Sequence, residues 1–209
     1  MKNFDAETYK KLKGDFNNED EELLLSLLAS KKIGGRVLDI GCGDGSLTLR
    51  VKQILPTLEI IGIDNSPEQI SLAQKNQDGI SFILADIINY RLNDTFDYVY
   101  SFYCFPHIPK SKLNLALASV RKLLKNNGKF YLFTNICQFD TSMATLEEQE
   151  ACDVVFLNNW PTQINLISLE EMRTLFRAER FTEIENKKLT TGAKIKSYGD
   201  MISWLFILK

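Results

Sequence analysis

Val37-Leu38-Asp39-Ile40-Gly41-Cys42-Gly43-Asp44-Gly45-Ser46 is the stretch on which the fold turns. A short apolar run holding one acid passes into three alternating glycines. Leu47, Val51 and Ile54/Leu55 then recur at helical spacing. The pattern predicts strand, glycine turn, helix. Glycines take positive φ and let backbone approach a ligand closely. In open parallel sheets, ligands bind beyond the carboxyl ends of the strands. The dinucleotide fingerprint Gly-x-Gly-x-x-Gly would need glycine at position 46, which is Ser46, and no Gly-Lys-Ser/Thr follows to make a P-loop. Alone, such a turn is also compatible with a plain connection.

The same rhythm extends outward. Upstream, acids at 19–22, leucines from Leu23 to Leu28 and Lys31-Lys32 suit a helix dipole, and Gly34-Gly35 ends the helix. Downstream, Glu59–Ile63 reads as a second strand, and Ser66 caps a helix with Pro67 at its first position, running to Ala73. Ile80–Leu84 and Phe96–Phe102 are the third and fourth strands. Leu113, Leu117, Val120 and Leu124 stripe a further helix, stopped by Asn126-Asn127-Gly128, before a fifth strand at Phe130–Phe133. Strands alternating with helices predict a parallel sheet covered on both faces. Segment 135–167 breaks the pattern. Ser168-Leu169-Glu170-Glu171 then opens a helix to Arg180 with a capping box. Phe181–Thr190 and Met201–Leu208 follow as two strands without a helix between them, hence antiparallel.

Composition narrows the function. The chain has 209 residues, 44% of them hydrophobic, and a formal charge of −2, so it carries no basic excess for nucleic acid or an anionic membrane. Its one histidine, His107, excludes a multi-histidine zinc site, and Cys42, Cys104, Cys137 and Cys152 form no Cys-x-x-Cys pair; no metal is expected. With no signal-peptide pattern at the start and no bilayer-length apolar run, a cytoplasmic protein is expected.

Two acids join the glycine turn. Asp64 closes the second strand, 23 residues after Gly41, where a carboxylate can accept from both hydroxyls of a ribose. Asp86 closes the third. With Asp39, they converge on one edge of the sheet. This combination resembles the class I S-adenosylmethionine-dependent methyltransferases, at Val37–Ser46, Ile60–Ile70, Phe82–Ile87, Phe96–Val99 and Arg121–Phe130, and more loosely through most of the chain. The resemblance implies an α/β, Rossmann-like doubly wound sheet of seven strands, order 3-2-1-4-5-7-6, with the last strand antiparallel. It implies one methyltransferase domain over 1–209, with an N-terminal helical cap at 1–32 and an inserted acceptor cap at 135–167. It also implies S-adenosyl-L-methionine as cofactor. Asp39, Gly41, Gly43 and Gly45 would shape the place of its methionine part. Asp64 would hold the ribose, with Asn65 beside the adenine, Asp86 at the adenine amine and the Ile87 backbone at the ring. Ser101 and Phe102 would lie near the sulfonium. Asp64→Ala is expected to weaken cofactor binding and leave folding intact.

The acceptor is less defined. Phe102-Tyr103-Cys104-Phe105-Pro106 offers an apolar, aromatic wall that suits a cation, whereas mid-strand Phe96 and Tyr98 read as core. His107 is the candidate general base, with a structural histidine as the alternative, and Tyr103 is the second candidate catalytic residue. No Asn/Asp-Pro-Pro-aromatic motif follows the fourth strand and no Pro-Cys pair occurs, so nucleobase methylation is disfavoured. The start, Phe4–Tyr9, is similar to small-molecule O-methyltransferases of the trans-aconitate and juvenile-hormone-acid type. Tyr9 is read either as a lid on the cofactor or as a surface aromatic. Segment 135–167, with Phe139, Met143, Phe156 and Trp160, reads either as the acceptor cap or as a packed insertion. The expectation is O-methylation of a small carboxylate or hydroxyl acceptor by a monomer or homodimer, without nucleic acid or membrane. The rivals are a non-catalytic cofactor-binding module and an NAD-dependent oxidoreductase.

Overall fold

The computed structural model describes residues 18–31, 33–76, 78–90, 94–156, 161–195 and 199–209. Tyr9, Lys32, Trp160, most of the 1–32 segment and the side chain of Phe156 lie outside the described residues. In chain order the elements are α1 (Asn18–Ser30), β1 (Arg36–Ile40), α2 (Ser46–Ile54), β2 (Glu59–Asp64), α3 (Pro67–Ala73), β3 (Ser81–Leu84), β4 (Phe96–Phe102), α4 (Leu113–Leu123), β5 (Leu124–Cys137), α5 (Leu146–Glu150), β6 (Cys152–Phe156), β7 (Pro161–Ile164), α6 (Leu169–Ala178), β8 (Glu183–Ile195) and β9 (Gly199–Leu208).

The strand order is β3-β2-β1-β4-β5-β9-β8-β6-β7. β1, β2 and β3 pair in parallel, whereas β9 is antiparallel to β5 and to β8. Setting β6 and β7 aside leaves the expected 3-2-1-4-5-7-6, with the final strand antiparallel. The sheet among the described residues has nine strands, however, not seven. The added pair is antiparallel and buries Cys152 and Ile164 in a cluster with Cys137, Ala144, Leu166 and Met201. Both strands are short, and neither Cys152–Phe156 nor Pro161–Ile164 carries a strict apolar–polar alternation in the sequence. Two boundaries also move. α4 stops at Leu123, and β5 runs to Cys137, so 135–137 belong to the sheet rather than to a cap. Gly128 permits the close passage after α4, since a Cβ there would stand 3.0 Å from the Phe96 carbonyl oxygen.

The chain forms two compact units. The first holds the described residues up to Tyr100 with Leu123–Lys129; the second holds Ser101–Lys122 and the residues from Phe130 onward. In the first, Leu24, Leu28, Val37, Leu38, Ile40, Val51, Ile60 and Ile63 are buried. Arg50 on α2 ties α1 down through Glu21 and Glu22. Asp97 at the start of β4 accepts from Lys125 Nζ and from the Arg36 N–H. In the second, Phe105, Phe130 and Phe181 pack in sequence, and Trp204 stacks on Phe206, which meets Phe176 of α6 edge-on. The capping box of Ser168 and Glu171 forms as expected and starts α6. No described helix is long and apolar enough to cross a membrane.

Candidate functional site

In the first unit, the chain leaves β1 with the Gly41 and Cys42 N–H groups both donating to the Ile63 carbonyl, at 2.8 and 3.0 Å. Gly41, Gly43 and Gly45 all have positive φ, at 75°, 56° and 78°. For most L-residues that conformation is costly, which explains the alternation. Gly45 is also required by space: a Cβ would sit 2.7 Å from Cζ of Phe82. Phe82 of β3 therefore packs directly against the loop. Asp44 Oδ1 accepts from the Ser46 N–H and hydroxyl, satisfying one donor at the α2 N-terminus that Gly45 has no side chain to cap.

The two acids nearest this loop differ in environment. Asp39 is buried, and its Oδ2 accepts from the Thr48 hydroxyl at 2.6 Å and the Tyr100 hydroxyl at 2.8 Å. It joins the end of β1 to α2 and β4. Burial, and then the neighbouring Asp39 charge, push the Tyr100 phenol well above its ordinary pKa. Asp64 is half-buried at the end of β2. Its Oδ2 accepts from the Gly43 N–H at 3.0 Å, and its Oδ1 from the Ser66 N–H at 2.8 Å. The carboxylate thus ties the glycine loop to the N-cap of α3. A carboxylate offers about four acceptor positions, so this tie and a role toward a ribose are compatible.

Asn65 is exposed, Asp86 half-buried and Ile87 buried. Asp86 Oδ1 accepts from the Ile88 N–H, closing a tight turn after β3. All eight residues expected at the cofactor from Asp39 to Ile87 fall in the first unit.

Ser101, Phe102, Tyr103 and His107 belong to the second unit. Ser101 is fully buried, and its hydroxyl has no hydrogen-bond partner among the described residues. Phe102 and Tyr103 meet edge-on at 4.9 Å, and both rings approach Phe133. Tyr103 has φ 55°, a left-handed backbone that a bulky residue rarely adopts, and its N–H donates to the Phe133 carbonyl. Phe105, expected in the acceptor wall, is instead fully buried against Phe130 and is core. His107 ends a short 3-10 turn and is exposed, with Nδ1 2.9 Å from the Gln163 carbonyl oxygen.

Sequence reasoning missed Thr48, Tyr100 and Asn165. A tyrosine between Val99 and Ser101 in a largely apolar strand is a usable signal, because a buried hydroxyl needs a partner. Among the described residues, no group of three metal-ligating side chains gathers.

The comparisons agree with this geometry. Residues 37–128 match the family described as a methyltransferase domain. (S)-coclaurine N-methyltransferase from Thalictrum flavum subsp. glaucum is 28% identical over 128 residues, covering 57% of this chain and 35% of that protein. Trans-aconitate 2-methyltransferase from Acidovorax sp. (strain JS42) is 29% identical over 90 residues, covering 43% and 34%. The chain thus spans about a third of the length of each of these curated relatives. A solved S-adenosylmethionine-dependent methyltransferase from Clostridium acetobutylicum ATCC 824 superposes with a TM-score of 0.69 at 14% identity, covering 96% of this chain and 98% of that one. That likeness is one of fold. The strand–glycine–helix element and the strand order thus lie in a chain that has the fold of a solved S-adenosylmethionine-dependent methyltransferase and whose residues 37–128 are similar to the methyltransferase domain family.

Proposed function

We propose that this chain binds S-adenosylmethionine through its first unit and catalyses methyl transfer to an oxygen of a small-molecule acceptor. The observation that carries the reading is the loop of three positive-φ glycines, held to the Asp64 carboxylate through the Gly43 N–H. Its donor set suits the cofactor. Loop amides without side chains admit the methionine part, Asp64 accepts from the ribose hydroxyls, and Asp86 accepts from the adenine amine beside Asn65 and the Ile87 backbone. Asp39 acts as a positioning residue, since its contacts run to Thr48 and Tyr100. When bound, the cofactor supplies an already activated, sulfonium-borne methyl group.

Ser101 and Phe102 are assigned to the sulfonium side. Phe102 and Tyr103 provide aromatic surface that favours a cation and excludes water. His107 takes the proton of a hydroxyl acceptor; a carboxylate acceptor has none to lose near neutral pH. Segment 138–167 contributes to acceptor binding. The names of the trans-aconitate 2-methyltransferase and the (S)-coclaurine N-methyltransferase support a small molecule, and the second makes nitrogen the rival acceptor atom. A formal charge of −2 supports a small molecule over nucleic acid. Among the described residues the four cysteines form no disulfide, which suits the cytoplasm, and the active species is a monomer or homodimer.

Calorimetry with S-adenosylhomocysteine and NAD tests the cofactor: heat with NAD alone would sink the reading. A panel of small acids, alcohols and amines, with tRNA alongside, is then scored for S-adenosylhomocysteine release. Turnover of acids or alcohols is expected. Efficient turnover of amines or tRNA alone overturns the acceptor assignment.

A further inference from the structure

Asn165, just after β7, is buried and donates three hydrogen bonds into one short turn. Its backbone N–H reaches the Pro106 carbonyl at 2.7 Å. Its side-chain amide reaches the carbonyls of Phe105 at 2.9 Å and Ile108 at 2.6 Å. Buried carbonyls need donors, and the turn supplies few, because Pro106 has no N–H. The turn's own Ile108 N–H reaches the Phe105 carbonyl at 3.1 Å. Asn165 adds a second donor there, supplies donors to the Pro106 and Ile108 carbonyls, and so fixes how the turn sits against the end of β7. All of these residues lie in the second unit.

The same register brings His107 Nδ1 to 2.9 Å from the Gln163 carbonyl oxygen, two residues before Asn165. A carbonyl only accepts, so Nδ1 bears the proton, and in the neutral ring the lone pair lies on Nε2. A free histidine side chain in water prefers the opposite tautomer. His107 is exposed, so water competes for the Nδ1 contact with the Gln163 carbonyl, and a loose turn would weaken it. Asn165 keeps the turn from loosening.

We infer that Asn165 is a positioning residue which locks the turn after β4 to β7 and thereby holds His107 in its Nδ1–H form, with Nε2 as the basic atom of the ring. The inference rests on the methyl-transfer reading only in giving Nε2 a proton to accept; the tautomer is a separate, measurable property.

The chain's single histidine makes the test direct. Long-range 1H–15N spectra of the full ¹⁵N-labelled chain are recorded at about pH 8, above the ordinary histidine pKa of about 6.5. They contain one assignable imidazole, in which Hδ2 couples strongly to Nε2. In the wild type, Nε2 is expected to be the bare nitrogen. Asn165→Asp keeps the shape but has no amide donor, and Asn165→Ser is too short to reach both carbonyls. In each variant that circular dichroism shows to be folded, the tautomer ratio should move roughly 3- to 10-fold toward Nε2–H, as expected for losing a neutral hydrogen bond. A wild-type spectrum with Nδ1 bare overturns the inference without any variant. So does a folded variant that retains the wild-type ratio. Because no acceptor or cofactor enters the measurement, its failure is distinct from failure of the methyl-transfer reading.

Discussion

Replacing Asp64 by asparagine tests two roles in one side chain. Both carboxylate oxygens accept backbone N–H groups, from Gly43 at 3.0 Å and from Ser66 at 2.8 Å. Asparagine offers one oxygen and turns an NH₂ group toward the remaining N–H. A hydrogen bond to a charged group contributes about 1.5–3 kcal/mol, and half-burial argues for the lower end, about 1.5–2 kcal/mol. At about 2–4 °C per kcal/mol for a chain of this size, the ligand-free protein should melt about 3–8 °C lower. This differs from the sequence-based expectation that Asp64→Ala leaves folding untouched. The difference arises because the carboxylate also ties loop to helix, through the Gly43 and Ser66 N–H groups. The ribose contact is a further loss. Another 1.5–3 kcal/mol weakens S-adenosylhomocysteine binding about 10- to 150-fold. Thermal melting of the ligand-free variant and calorimetry well below its Tm separate the two. A lower Tm with unchanged Kd refutes the ribose role; a raised Kd with unchanged Tm refutes the tie. If neither moves, the account of Asp64 is wrong.

Gly45→Ala places a Cβ 2.7 Å from the Phe82 ring at a φ of 78°; strain and overpacking together should cost about 2–5 kcal/mol, read as a lower urea midpoint. Burial acts to raise the Glu171 pKa, but hydrogen bonds from Lys110, Ser168 and Thr141 outweigh it and hold the group at about 2, below its ordinary 4.5. Its stabilising contribution is thus complete above pH 4.5 and is lost as pH falls through about 2, and acid titration of Glu171→Gln should show a shallower loss of stability over that window. With a hydroxyl acceptor, His107→Ala should lower kcat about 10²- to 10⁴-fold and abolish the pH-profile limb near the ordinary histidine pKa; with a carboxylate acceptor, kcat should barely change.

The sequence by itself determined the features that depend on neighbouring residues. The run from Val37 to Leu55 specifies strand, turn and helix, because periodicity and glycine placement act over a few residues, and Gly41, Gly43 and Gly45 all adopt the positive φ that their alternation suggested. Ser66-Pro67 and Ser168–Glu171 start their helices through contacts spanning at most three residues. The order of the first five strands and the antiparallel closing pair were legible too, through resemblance at those same local motifs. What only the tertiary structure decided are the partners that sheet register brings together over long separations. Asp39 meets Tyr100 across 61 residues, and Asn165 meets Phe105 across 60. No local pattern encodes either pair, since each depends on where two distant strands or turns come to lie. β6 and β7 likewise became strands because Cys152 and Ile164 complete a cluster with Cys137, Leu166 and Met201, residues drawn from four separate stretches of chain. Local propensity selects an element's type, whereas burial against distant side chains selects its neighbours, and the contacts of Asp39, Asp64 and His107 follow from those neighbours.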